Sequence, residues 1–141
     1  MPTFSGSFSG KVQSETKVSV ADQAAHDLRI TIVSGQSESP DERWNGLRST
    51  MWTIADTVGG AGVQRGYVVH EQTTGDRVTA TFEGRIATSA REITVEGTYK
   101  LNGGTGAFAM VRGEGTYAVH RTSQTDVAMT WSGEYEMAQA R

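Results

Sequence analysis

The chain has 141 residues, enough for one domain that buries roughly two-thirds of its unfolded surface. It has no cysteine, which excludes disulfides, thiolate catalysis and cysteine-based zinc sites. A net charge of −3, with 13 basic and 16 acidic residues scattered singly, leaves no basic stripe for nucleic acid or an anionic lipid surface.

Seventeen glycines and two prolines, with many Thr and Val, favour short strands joined by tight turns. Met1-Pro2-Thr3-Phe4-Ser5 has no charged region followed by an apolar run, and no apolar segment reaches membrane-spanning length. The expectation is a soluble cytoplasmic protein without membrane contact.

Phe4, Gly6, Phe8, Gly10 and Val12 alternate with Ser5, Ser7, Ser9 and Lys11, and the same parity resumes at Val18 and Val20. This period of two predicts a first strand with one apolar face. Asp22 to Ala25 interrupt it, and Leu28, Ile30 and Ile32 alternate with Asp27, Arg29 and Thr31 in a second strand. Gly35 to Glu42 reads as a polar, mobile loop.

Trp44 to Val58 reads as a long strand, and Gly59-Gly60-Ala61-Gly62 as a turn into a strand starting at Val63. With Val58 facing Val63, Ile54 lies beside Tyr67, Trp52 beside Val69 and Asp56 beside Arg65. A symmetric hairpin about Thr74-Gly75 sets Tyr67 opposite Phe82. That register points Trp44, Arg48, Trp52, Ile54, Tyr67, Val69 and Glu71 inward. It leaves Leu47, Met51, Ala55 and Val68 outside, where another subunit would cover them.

Val78, Ala80, Phe82, Gly84 and Ile86 form the apolar face of the next strand. A turn around Ser89-Ala90 carries the face to Ile93, Val95, Gly97, Tyr99 and Leu101. Gly103 to Gly106 then interrupt the alternation, and Ala107 to Val111 form a short apolar plug of about one helical turn, suited to cover the end of a sheet. Tyr117 and Val119 continue inward. A loop Thr122-Ser123-Gln124 leads to a last strand presenting Val127, Met129, Trp131, Gly133, Tyr135 and Met137. About eight antiparallel strands with one apolar face are best satisfied by closure, which removes exposed edges, so the expected fold is all-β, an eight-stranded up-and-down barrel with an inner cavity.

The run Gly104 to Tyr117 (GTGAFAMVRGEGTY) resembles the signature GTG-x-(F/L)-x-G-x-x-G-x-G-x-(Y/F) of the allene oxide cyclase barrel superfamily, which includes dirigent proteins. Gly66-Tyr67, and Gly75-Asp76-Arg77-Val78 leading to Phe82-Glu83-Gly84, are similar to that group as well. The likeness runs from about Val58 to Met137, with Met110 where the group usually has glycine. It implies a calycin-like barrel, often a homo-oligomer, whose characterised members bind lipid-like or phenolic molecules and in some cases steer their cyclisation or coupling. It carries over no catalytic residue.

The same letters, Gly104-Thr105-Gly106-Ala107-Phe108-Ala109, fit a dinucleotide fingerprint, but no parallel strand-helix-strand unit surrounds them. His26, His70 and His120 lack the spacing of paired metal ligands, and the register places His70 and His120 outside. No metal and no cofactor is expected.

Arg48 and Glu71 become diagonal neighbours on the inner face, readable as a polar anchor for a carbonyl or carboxylate or as a structural ion pair at the rim. Asp56 with Arg65 reads as structural. Inward Gly84, Gly97, Gly115 and Gly133 remove volume from the filling, which favours a cavity with tyrosine hydroxyls and indole N–H groups as polar handles. The expectation is a barrel that binds a hydrophobic small molecule and acts as a cofactor-free cyclase or isomerase by holding its substrate in a reactive shape. Arg48, Glu71, Tyr99 and Tyr67 are its candidate catalytic groups; Trp44, Trp52, Phe82, Tyr117, Met129, Trp131 and Tyr135 are the candidate lining. A carrier or sensor without turnover and a structural oligomeric barrel with a plugged interior are the alternatives.

Overall fold

A computed structural model of the chain describes residues 2–89, 92–121 and 123–137. Eight strands follow one another: β1 (Thr3–Ser19), β2 (His26–Glu38), β3 (Arg48–Val58), β4 (Ala61–Glu71), β5 (Arg77–Ser89), β6 (Glu92–Gly104), β7 (Val111–Arg121) and β8 (Asp126–Met137). Each pairs antiparallel with the next, and β8 pairs with β1, so the sheet closes into an up-and-down barrel. Closure gives every strand two neighbours and removes the edges that an open sheet would expose.

One end of the barrel is stoppered. The β2–β3 and β6–β7 connections each contain a single turn of 3-10 helix, Glu42–Trp44 and Gly106–Phe108, which push Trp44 and Phe108 into the barrel until both are buried. Their rings meet at 5.3 Å between centroids, and Phe4 and Tyr135 pack on Trp44 at 4.8 and 5.3 Å. The other end carries the β1–β2 and β3–β4 turns.

Six inward aromatic residues stand directly across a ladder from a glycine: Phe4 from Gly133, Trp131 from Gly6, Phe82 from Gly66, Tyr117 from Gly97, Tyr99 from Gly115 and Tyr135 from Gly113. A methyl group added to Gly6 would lie 2.3 Å from the Trp131 ring, and one added to Gly97 would lie 2.8 Å from Tyr117. The rings therefore lean over their glycine partners and follow the wall. The room expected to stay open above Gly84, Gly97, Gly115 and Gly133 is taken by Tyr117 and Tyr99.

The faces of β5 to β8 agree with the alternation of the sequence, although the β5–β6 and β7–β8 pairings are shifted by two residues from those of symmetric turns: Ala80 faces Leu101 instead of Tyr99, and Tyr117 faces Trp131 instead of Met129. Ala90 of the expected Ser89-Ala90 turn and Thr122 of the expected loop lie outside the described residues.

The faces of β3 and β4 are the reverse of the expectation. Between β4 and β5 the loop spans five residues, Gln72 to Asp76, tied by Gly75 N–H to the Gln72 carbonyl and Gln72 N–H to the Asp76 carbonyl. Gly66, not Tyr67, then faces Phe82. This one-residue slip turns every side chain of β4 over, and β3 with it. Trp52, Ile54 and Tyr67 point out, while Leu47, Met51 and Val68 are buried and Ala55 packs against the core. The β3–β4 turn is the two-residue Gly59-Gly60, with φ of 61° and 84°, so Val58 pairs with Ala61 and Ile54 with Arg65. Asp56 faces Val63 and holds His26 Nε2 at 2.7 Å, so its expected partnership with Arg65 does not form.

Two further differences lie upstream. A bulge at Gln13 shifts the parity of β1, so Glu15 pairs with Thr31 on the inner face and Val18 points out. Strand β2 runs on to Glu38 through the segment read as loop, and β3 begins only at Arg48 because Trp44 belongs to the stopper. In β2 the inner face is Asp27, Arg29, Thr31 and Val33, and Leu28 and Ile30 are exposed.

Candidate functional site

Between the stopper and the opposite end the barrel encloses a cavity of about 280 Å³. Most of its wall is apolar, with Val33, Met51, Val68, Phe82, Val95 and Leu101 contributed by five strands. Three sets of polar groups interrupt that wall.

The first set lies toward the unstoppered end, where Glu15, Asp27, Arg29 and Arg121 line the cavity. Arg121 donates to Glu15 at 2.8 Å and Thr31 donates to the same carboxylate at 3.0 Å. Burial works to raise the Glu15 pKa, but these bonds and the Arg121 charge outweigh it and hold the carboxyl below the usual range. Arg29 Nε is buried and has no hydrogen-bond partner among the described residues.

Tyrosines form the second set. Tyr99 is buried, and its hydroxyl is without a partner among the described residues. Burial pushes its pKa up, so it stays a neutral donor. Tyr117 is also pushed up to about 12, chiefly by burial, although its hydroxyl accepts a bond from Gln64 Nε2 at 3.0 Å.

The third set, on the same wall, is formed by His70 and Ser37, with Ser49 behind them. Ser37 Oγ lies 3.0 Å from Ser49 Oγ, which lies 2.5 Å from His70 Nδ1. Burial lowers the His70 pKa to about 4, so the ring is neutral at neutral pH.

No protein-family model matches the chain, and no curated protein matches it.

Of the residues singled out in the sequence, Trp44, Phe82, Tyr99, Tyr117, Met129 and Trp131 line the cavity together. Tyr135 belongs to the stopper, where its hydroxyl donates to Asp41 at 2.8 Å and accepts from Arg43 at 3.2 Å. Arg48, Glu71, Tyr67 and Trp52 are not brought to the interior. Tyr67 is 63% exposed and Trp52 is 41% exposed. Arg48 does face Glu71 across the ladder, on the outer surface, and the Glu71 carboxylate takes Arg77 Nε at 3.2 Å. His70, expected outside, is inside, whereas His120 is outside and pairs with Glu92.

Of the polar groups missed in the sequence, Ser37, Ser49, His70, Arg29 and Glu15 sit on β1 to β4, and Arg121 sits at the end of β7. Three of them follow from the five-residue loop and the β1 bulge. Arg29 alternates with Leu28 and Ile30, and the apolar members of that pair of faces look like the interior until the register is known.

Proposed function

We propose that the barrel is a receptor for a small, mainly apolar molecule carrying oxygen groups, held in its interior between the stopper and the charged mouth. The observation that carries this reading is a mainly apolar cavity whose lining residues Arg29, Trp44 and Tyr99 each hold a buried donor, Nε, Nε1 and the hydroxyl, with no hydrogen-bond partner among the described residues. An unpaired buried donor costs about 1–3 kcal/mol, which a ligand oxygen would return on binding. The likeness of Gly104 to Tyr117 to the allene oxide cyclase barrels supports the same reading, since characterised members hold lipid-like or phenolic molecules.

An apolar chamber stoppered at one end, with a few fixed donors, bends a flexible ligand into a compact shape, the condition for a cofactor-free cyclisation or isomerisation. Native mass spectrometry of the purified protein, followed by displacement of an environment-sensitive fluorophore from the interior, tests binding. A ligand-free mass and no uptake of the fluorophore would sink it. A recovered ligand of unchanged mass but altered structure assigns turnover; recovery of the unaltered ligand assigns carriage.

The outer face supports an oligomer, although on the opposite side of β3 and β4 from the one expected. Val18, Leu28, Ile30, Trp52, Ile54 and Tyr67 are exposed on four consecutive strands. A contiguous apolar surface of this kind is what a subunit contact buries.

A further inference from the structure

Ser37, Ser49 and His70 sit on three neighbouring strands, β2, β3 and β4. Ser49 and His70 are direct cross-strand partners, and Ser37 lies two residues beyond Gly35, the partner of Ser49 on β2. Both serines are sealed from solvent, at 1% and 0% exposure. Their hydroxyl protons must therefore go to acceptors within the protein.

Among the described residues the Ser37 hydroxyl has no hydrogen-bond partner other than Ser49 Oγ; either oxygen can donate in that bond, and only with Ser37 as the donor does its proton have an acceptor within the described residues. Ser49 then donates to His70 Nδ1. A neutral imidazole that accepts at Nδ1 carries its hydrogen on Nε2. Nε2 has no hydrogen-bond partner among the described residues, and His70 is part of the cavity wall.

We propose that this Ser37–Ser49–His70 relay presents the His70 Nε2–H to an uncharged oxygen acceptor, a ketone or ester carbonyl, on the molecule in the cavity. The inference rests on the interior being a ligand site and adds the kind of group that the ligand must carry.

Charge decides between an uncharged acceptor and a carboxylate. Protonating the ring would make Nδ1 a donor, which reverses both serines and strands the Ser37 proton without an acceptor. Burial acts in the same direction and holds the ring neutral. A neutral donor does not offset the cost of burying an anion, whereas it does satisfy a carbonyl. Ser49 is fully buried and is not part of the cavity wall, so the Ser49–His70 pair orients the imidazole and does not supply a nucleophile.

Three probes of one shape separate the possibilities: acetylnaphthalene, ethylnaphthalene and naphthoate, titrated into the wild-type protein and the His70→Phe and Ser49→Ala variants. In the wild type the ketone is expected to bind about tenfold more tightly than the hydrocarbon, the worth of one net hydrogen bond, and naphthoate is expected to gain nothing over the hydrocarbon. Both variants should bring the affinities for ketone and hydrocarbon to within about twofold of each other. A ketone advantage that is absent in the wild type, or unchanged in His70→Phe, overturns the relay.

Nitrogen NMR of the wild-type imidazole needs no variant to fold. It should show Nε2 protonated and Nδ1 bare, and a protonated Nδ1 overturns the relay as well. If none of the three probes binds, the reading of the interior as a ligand site fails, while the tautomer measurement still judges the relay.

Discussion

The Tyr99 hydroxyl lies against Gly115, its partner across the β6–β7 ladder, so closely that a methyl group on the glycine would come within 2.6 Å of it. A methyl group on Gly133 of β8 would come within 2.7 Å of the same hydroxyl. The tyrosine therefore rests along the wall, on two glycines, instead of crossing the lumen.

Gly115→Ala is expected to destabilise the fold by about 2 kcal/mol, because the new methyl also meets the Ser132 carbonyl at 2.1 Å and the backbone cannot yield without disturbing the β7–β8 ladder. Urea unfolding measures the loss. An unchanged midpoint would mean that ring and wall are less tightly joined than the geometry shows.

Tyr99→Phe should act in opposite directions on stability and binding. Removing a buried hydroxyl without a partner raises the stability of the empty barrel by about 1 kcal/mol, while any ligand that uses the hydroxyl binds more weakly. Thermal denaturation with and without fluorophore or ligand reads both effects. A destabilised variant would show that the hydroxyl has a partner in solution.

His70 and His26 should give opposite pH dependences. The folded pKa of His70 is lowered from 6.5 to about 4, so its contribution is fully present above about pH 6.5. It is lost progressively as pH falls toward 4, where the unfolded chain binds a proton that the folded chain refuses, by about 3 kcal/mol in all. His26 is raised by its hydrogen bonds to Asp22 and then Asp56, so its contribution is present below pH 6.5 and lost as pH rises through the folded value. Histidine titration by NMR and stability measured between pH 4 and 8 check the signs. His70→Gln should flatten the acid side of the curve.

Trp52→Glu together with Ile54→Lys should convert an oligomer into a monomer without changing the strand content. These side chains are 41% and 44% exposed and face away from the core, so their substitution leaves the interior intact. Light scattering and far-ultraviolet circular dichroism read the two properties. A wild-type monomer at high protein concentration would remove the interface.

The part of the site carried by β5 to β8 was legible in the sequence, because those strands are apolar on one face and polar on the other. Val78, Ala80, Phe82 and Ile86 against Arg77, Thr79, Glu83 and Arg85 leave one way to face the core, and a two-residue error of register does not change it. Phe82, Tyr99, Tyr117, Met129 and Trp131 were found for that reason. Strands β3 and β4 are apolar on both faces, with Met51 and Ala55 opposed to Trp52 and Ile54, and Val68 opposed to Tyr67 and Val69. Alternation alone assigns no interior there.

The amino-acid sequence thus determined the strand count, the closed all-β architecture, the Ala107 to Val111 part of the stopper and one half of the cavity wall, all of which follow from local periodicity and turn chemistry. The tertiary structure decided which face of β3 and β4 is inside, through the odd number of residues between β4 and β5, and which residues of β1 follow the Gln13 bulge. Those two one-residue offsets carry Glu15, Ser49 and His70 into the barrel and send Arg48, Trp52, Tyr67 and Glu71 to its surface. The physical reason is that side chains alternate with a period of two along a strand, so a single residue gained or lost in a connection exchanges inside for outside in everything paired beyond it.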